Sequence, residues 1–349
     1  MSLRMIDGFD HYNWSQMMRK WSTYVTGYIG NPVIGPGNGR FGGGAMYNGA
    51  AGGQYAQQSV FKTLDPQSTW ILGVAFKWTG GNVSASTVLL GVYDVNSKQV
   101  DARLNSDNTM SVTRAGTVLG TTSFVMSSGA WYYIELKTTI HPTAGSFDLH
   151  INGVSRTSAT NVNTRNTANN TANQVSIGFP DQTNTGSITT LAFDDFYACD
   201  GNGTVNNNFL GDVRVETLYP NAVGATTQFT PTSGTNFGCV NENPMNDDAS
   251  YVYGNTVGNI DTYKISALSS IPQTIMGTQI NSTARKDSSG NRAMELVVRS
   301  GAANYLGSDN YTNATYATYN RIDETDPATS APWTSPGIAA VEIGHKLSI

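Results

Sequence analysis

The sequence predicts an all-β protein: an antiparallel sandwich or jelly roll, followed by a second, smaller β-rich domain. Three observations predict it. Apolar side chains recur at every second position through much of the chain, the period of a strand with one buried face. The runs are short, closely spaced and separated by Asn-, Gly- and Ser-rich turn material. Helical spacing is confined to two brief stretches.

The elements follow in order. Trp14, Met17, Met18 and Trp21 stand at i, i+3, i+4 and i+7, which marks a short helix with Asn13 or Ser15 as its N-cap. In 69–78, Trp70, Leu72, Val74, Phe76 and Trp78 share one face, with Gly73, Ala75 and Lys77 on the other. Strands are expected next at 88–94, 99–104 and 110–113. In 131–140, Tyr132, Ile134, Leu136 and Ile140 alternate with Glu135, Lys137 and Thr139. In 146–152, Phe147, Leu149 and Ile151 alternate with Asp148, His150 and Asn152. Strands at 175–179 and 188–197 complete the set. Asn152-Gly153 is the strongest of the intervening turn signals, because it supplies the positive φ of a tight hairpin.

A polar, turn-rich stretch near 200–212 places a domain boundary there, giving domains 1–210 and 211–349. The second domain is expected to hold strands at 211–218, 250–253, 262–267, 272–283, 292–299 and 314–323. The pair 272–283 and 292–299 reads as a hairpin around Lys286-Asp-Ser-Ser-Gly-Asn. A second short helix is expected at 336–343, capped by Thr334 or Ser335 and closed by Gly344. Residues 160–174 read as a low-complexity polar loop.

Composition narrows the function classes. The 349 residues carry 20 Lys+Arg against 25 Asp+Glu, a net charge of −5, and only 13% are charged. That is about half the usual share, and the 37 glycines with abundant Thr, Asn and Ser fill the gap. With 39% apolar residues the chain has enough for a core. It has no Lys/Arg block, so nucleic acid is not an expected partner. No run approaches about 18 apolar residues, so no membrane insertion is expected, and Met1–Asp10 does not read as a secretory signal. Cys199 and Cys239 lack C-x-x-C spacing, which argues against a thiolate metal cluster and leaves their pairing open.

Two resemblances follow from the motifs. Trp131-Tyr-Tyr-Ile-Glu-Leu-Lys, then Phe147-Asp-Leu-His-Ile-Asn-Gly-Val, resembles the heart of the concanavalin A-like (laminin-G-like) jelly roll. Leu191-Ala-Phe-Asp-Asp-Phe-Tyr resembles that family's final strand, which implies a return beside the N-terminal strand at 5–9. The whole chain also resembles a group of tailed-bacteriophage virion proteins, through Ile6-Asp-Gly-Phe-Asp-His-Tyr, Gly39-Arg-Phe-Gly-Gly-Gly and Asp326-Pro-Ala-Thr-Ser-Ala-Pro-Trp-Thr. Those proteins place a laminin-G-like domain ahead of a smaller β domain on the tail, baseplate or capsid exterior.

The chemistry in the sequence is sparse. The Glu-x-Asp-x-x-Glu pattern of jelly-roll hydrolases is absent, and the glutamates are scattered. Asp194 and Asp195, as strand neighbours, should point to opposite faces and read as edge-strand charges. Those two and the 243–248 stretch offer calcium-type oxygens without the spacing of a calcium loop. His11, His141, His150 and His345 stand far apart, and His150 reads as a surface residue. The Gly-rich segment 35–44 reads as a tight loop rather than a phosphate cradle.

The expectation is therefore a non-enzymatic phage virion structural protein with no catalytic, cofactor-binding or metal residues and no cofactor. Its expected partners are other virion proteins and further copies of itself in a homo-oligomer, docked through apolar rim patches that include Trp333. Its expected location is the virion, after synthesis in the host bacterial cytoplasm. The alternative is a host-receptor or glycan-binding, lectin-like tail module. Its host surface glycan would meet loops 160–174 and 300–320, which carry Tyr305, Tyr311, Tyr316 and Tyr319. A polysaccharide hydrolase is the third class.

Overall fold

Alternation in 69–78 becomes the central strand of a jelly-roll sandwich. The computed structural model describes residues 2–26, 33–49, 55–184 and 187–349. The chain divides into two units, Met1–Val215 and Glu216–Ile349.

The strands of the first unit are β1 (Leu3–Asp7), β2 (Thr23–Thr26), β3 (Val33–Pro36), β4 (Gly44–Gly49), β5 (Tyr55–Gln67), β6 (Thr69–Gly80), β7 (Thr87–Asp94) and β8 (Ser97–Leu104). They continue with β9 (Met110–Arg114), β10 (Thr117–Thr121), β11 (Tyr132–Thr139), β12 (Gly145–Ile151), β13 (Val154–Val162), β14 (Ala172–Asn184) and β15 (Ile188–Asp200). One sheet runs β13-β12-β11-β6-β15-β4-β3, with β1 also paired to β15. The other runs β10-β9-β8-β7-β14-β5-β2. The expected return of the last strand is present, since Met5 pairs with Ala198 and Asp7 with Phe196.

The core lies between the sheets. Trp70, Leu72, Val74, Phe76 and Trp78 are fully buried. The Phe76 ring lies 5.6 Å from Trp78 and 5.0 Å from Phe193 of β15, and Phe193 meets Phe179 of β14 at 6.3 Å. Rings of this size each remove about 150–250 Å² from water, so this cluster carries much of the sandwich's stability. Strands β13 and β10 were not visible in the sequence. Both are sheet-end strands with mostly exposed or half-exposed side chains, so no apolar alternation marks them.

The N-terminal helix is a 3-10 turn, Trp14–Arg19, with Asn13 and Gln16 forming a reciprocal capping box. Its three-residue period explains why Met17 and Lys20 are buried while Met18 is exposed. Asp7 anchors this end. Its carboxylate accepts from Phe9 N (3.0 Å), Tyr12 Oη (2.7 Å) and Trp21 Nε1 (2.8 Å), and Lys20 Nζ lies 3.2 Å away. Burial opposes the charge, but Lys20, His11 and the hydrogen bonds outweigh it and hold the carboxyl below its ordinary range. That stability is present above the ordinary carboxylate range and is lost as pH falls through the lowered value. Asp7→Ala should cost about 3–5 kcal/mol, read as a lower denaturation midpoint, because Lys20 is left buried without its counter-charge.

The second unit carries β16 (Pro220–Thr227), β17 (Thr230–Pro231), β18 (Val252–Tyr253), β19 (Ile260–Ile265), β20 (Thr278–Ala284), β21 (Ala293–Ser300), β22 (Ala303–Tyr311), β23 (Ala317–Asp323) and β24 (Glu342–Leu347). A five-stranded sheet runs β16-β19-β24-β21-β22, beside the pairs β17-β18 and β20-β23. Four expectations are corrected here. Residues 211–218 form no strand. The 272–283/292–299 hairpin does not form: β20 pairs with β23, and β21 pairs with β22 and β24. The hairpin is instead β21–β22, turning through Gly301 and Ala302 at positive φ. The helix is Ser335–Ala340, capped by Thr334 on Gly337 N, and Gly344 lies within β24, where a Cβ would meet the Asp261 carbonyl at 1.9 Å. Trp333 is no rim residue. It is buried with Leu296, Val298 and Ile338, and its Nε1 donates to the Asp323 carbonyl at 2.9 Å. Cys199 and Cys239 are buried free thiols.

Candidate functional site

The outer face of β6, which carries Gly73, Ala75 and Lys77, splits into two halves. One half is covered. Segment 208–215 lies across it, with Lys137 donating to Asn208, Phe209 stacked on His150 at 3.9 Å, and Gly211 N donating to Glu135 Oε1 at 2.9 Å. Tyr197 Oη also donates to Glu135 (2.6 Å). Glu135 is consequently fully buried, and burial raises its carboxyl above the ordinary value. Gly73 makes room for this, since a Cβ there would sit 2.1 Å from the Tyr197 ring.

The other half is an open groove of about 300 Å³, lined by Gly37, Asn38, Gly39, Tyr47, Lys77, Thr79, Trp131, Thr190 and Ala192. Register builds its floor. Tyr47 pairs with Ala192, Ala192 pairs with Lys77, and the Tyr132–Phe76 pair carries Trp131 to the level of Lys77. The four therefore stand in one row across the sheet and share a face. Ala192 is the low point, flanked by the two long side chains of Tyr47 and Lys77, whose backbones are about 9–10 Å apart across two strand spacings. Lys77 Nζ lies 5.8 Å from the Trp131 ring centroid. One step along the strands, Thr79 and Thr190 bond through their hydroxyls at 2.6 Å.

The β3–β4 turn forms the lip. Gly37 N and Gly39 N both donate to the Gly43 carbonyl (2.9 and 3.0 Å), and Gly37 and Gly42 take positive φ. A Cβ at Gly39 would lie 2.2 Å from the Gly44 carbonyl oxygen, so the turn closes this tightly only with glycine there. Segment 35–44 is thus the tight loop its composition suggests.

Asp194 and Asp195 depart from the strand-alternation expectation. The register of β15 against β6 shifts between Asp194 and Tyr197, and Asp195 takes φ +51°. Both carboxylates are buried and both meet Arg40, one through its backbone N–H (2.8 Å) and one through its guanidinium (3.6 Å). They are not edge charges, because β15 lies between β6 and β4.

The remaining sequence candidates do not converge. Asp248 pairs with Arg285 and Tyr316, and among the described residues no group of three His, Cys, Asp or Glu side chains could hold a metal. Tyr305 and Tyr311 lie on β22 and Tyr319 on β23, not in a loop. His11 is buried, with its pKa lowered to about 3 by burial and by Lys20. Lys77 and Trp131 were legible only as strand residues, and Tyr47 carried no signal.

No protein-family model matches the chain, and a search of curated proteins finds no match. Among solved structures it is similar to alginate lyase Aly36B, at 9% identity and a TM-score of 0.38, over 54% of this chain and 91% of that one. It is also similar to alginate lyase AlgAT5 of polysaccharide lyase family 7, at 10% identity and 0.34, over 49% and 82% of the two chains. For alginate lyase A1-II' the values are 14% and 0.34, over 46% and 81%. The shared feature is the jelly-roll sandwich. The expectation of a non-enzymatic virion structural protein is corrected at this point: the three structures just named are alginate lyases. At such identities the likeness is one of fold, and what the groove can do rests on its own residues.

Proposed function

We propose that the groove binds an acidic polysaccharide and cleaves it by β-elimination. The observation that carries this reading is the row Tyr47–Ala192–Lys77–Trp131, in which an aromatic face, a cation and a phenol surround a small floor residue. Sugar rings pack on aromatic faces, and few convergent polar groups then fix their orientation. Among the described residues none that lines the groove carries a carboxylate, whereas glycoside hydrolysis requires a pair of acids. Elimination needs none. The Lys77 ammonium neutralises a uronate carboxylate, which makes the adjacent C5 proton easier to remove. In its phenolate form Tyr47 Oη takes that proton, the C–H electrons form the C4–C5 double bond, the C4–O bond breaks, and the departing oxygen takes the proton back from the Tyr47 hydroxyl. Asn38, Thr79 and Thr190 supply hydroxyl and amide contacts along the trough.

The test is to incubate the full chain with polyuronates and follow reducing ends together with ultraviolet absorbance from the new double bond. The two should rise in step. Reducing ends without absorbance would mean hydrolysis, and binding without any product would leave no catalytic role for Tyr47.

A further inference from the structure

We infer that Asp194 and Asp195 are positioning residues of the groove, which hold its glycine lip and segment 208–215 in place through Arg40. Arg40 directly follows Gly39, so its backbone N–H bond to Asp194 Oδ2 fixes the lip to β15. Its guanidinium lies 3.6 Å from Asp195, donates to Asp212 Oδ2 (2.7 Å) and reaches the Val213 carbonyl (3.4 Å). Asp195 Oδ1 accepts from Val215 N (2.7 Å), and Asp195 N donates to Asp194 Oδ1 (2.7 Å). One bulge thus ties together the lip, the covering segment and the strand that carries Ala192. The link to catalysis rests on the groove being the polysaccharide site.

The node has an excess of buried negative charge. Around Asp194 and Asp195 stand the cations Arg40 and Arg214, the carboxylates Asp10 and Asp212, and Tyr133. Burial and the adjacent Asp195 push the Asp194 carboxyl up to about 8. Burial also raises Asp195, against the pull of Val215 N–H and Arg40. Because the folded values are raised, the node is most stable below the ordinary carboxylate range, weakens as pH rises from there to the upper ionisation, and changes no further above it. The second charge then faces its neighbour in a buried site, where like charges oppose one another.

Amide hydrogen exchange on the intact protein tests this without any polysaccharide. After correction for the intrinsic rate, protection of the Arg40 and Val215 amides should fall by about tenfold or more for each pH unit between the ordinary carboxylate range and the upper ionisation and level off above it, while β11 amides stay protected. In Asp195→Asn the levelling-off at Arg40 should move to lower pH and the total fall should shrink, because Asp194 has lost the neighbour that holds its proton. Flat protection in the wild type across that window, or an unmoved levelling-off in Asp195→Asn, overturns the inference. Should that variant not fold, carbon NMR of the wild-type Asp194 carboxyl decides: titration above neutrality supports it and an ordinary acidic titration overturns it. A lip that loosens while polyuronate binding stays constant would keep the node and refute the groove.

Discussion

Tyr47→Phe is expected to lower kcat on a polyuronate by 10²–10⁴-fold, the range for loss of a positioned proton-transfer group, with KM little changed. The side chain is half-buried at the rim of Ala192, and its ring packs the same way without the hydroxyl, so the fold should be unaffected. Lys77→Met separates the second role. It removes a charge-assisted contact to the carboxylate, about 1.5–3 kcal/mol, and should raise KM about 10–100-fold as well as lower kcat. Lys77→Arg should recover part of the KM and little of kcat, because the planar fork reaches the carboxylate at a different height. A Tyr47→Phe enzyme with wild-type kcat would remove the phenol from the chemistry.

A large effect on stability is expected at Phe76, as at Asp7. It is completely buried, stacks on Trp78 at 5.6 Å and meets Phe193 at 5.0 Å. Phe76→Ala removes the ring from between the two sheets and should cost about 3–5 kcal/mol, seen as a lower denaturant midpoint with an unchanged slope. Phe76→Leu keeps most of the volume and should cost much less. Since Phe76 sits one residue before Lys77 on the opposite face, its loss should also disturb the groove. A Phe76→Ala protein as stable as the wild type would mean that the sandwich core lies elsewhere.

The sandwich was legible because its central strands obey alternation: the Trp70-to-Trp78 series and the Phe147, Leu149, Ile151 series are buried as their spacing requires. Hairpin partners in the second unit were less legible. A polar turn such as 286–291 marks a reversal or a crossover equally well, and here the chain crosses from the β20–β23 pair to the five-stranded sheet. The groove was harder still. Tyr47, Ala192, Lys77 and Trp131 are scattered along the chain, and only the register of four neighbouring segments places them in a row. The Asp194–Asp195 node was misread for a related reason: a bulge breaks the alternation on which facing arguments depend. The buried state of Glu135 was invisible because segment 208–215, which covers it, has no periodicity of its own.

The most direct measurement compares one polyuronate before and after chemical reduction of its carboxyl groups to alcohols. With the native polymer, the wild-type chain should generate the absorbance of an unsaturated chain end, and Lys77→Met and Tyr47→Phe should generate it far more slowly. With the reduced polymer it should generate none and bind far more weakly, because the group Lys77 recognises is gone and the C5 proton is no longer activated. Equal binding of the two polymers, or cleavage of the reduced one, would contradict an acidic-polysaccharide lyase site in this groove.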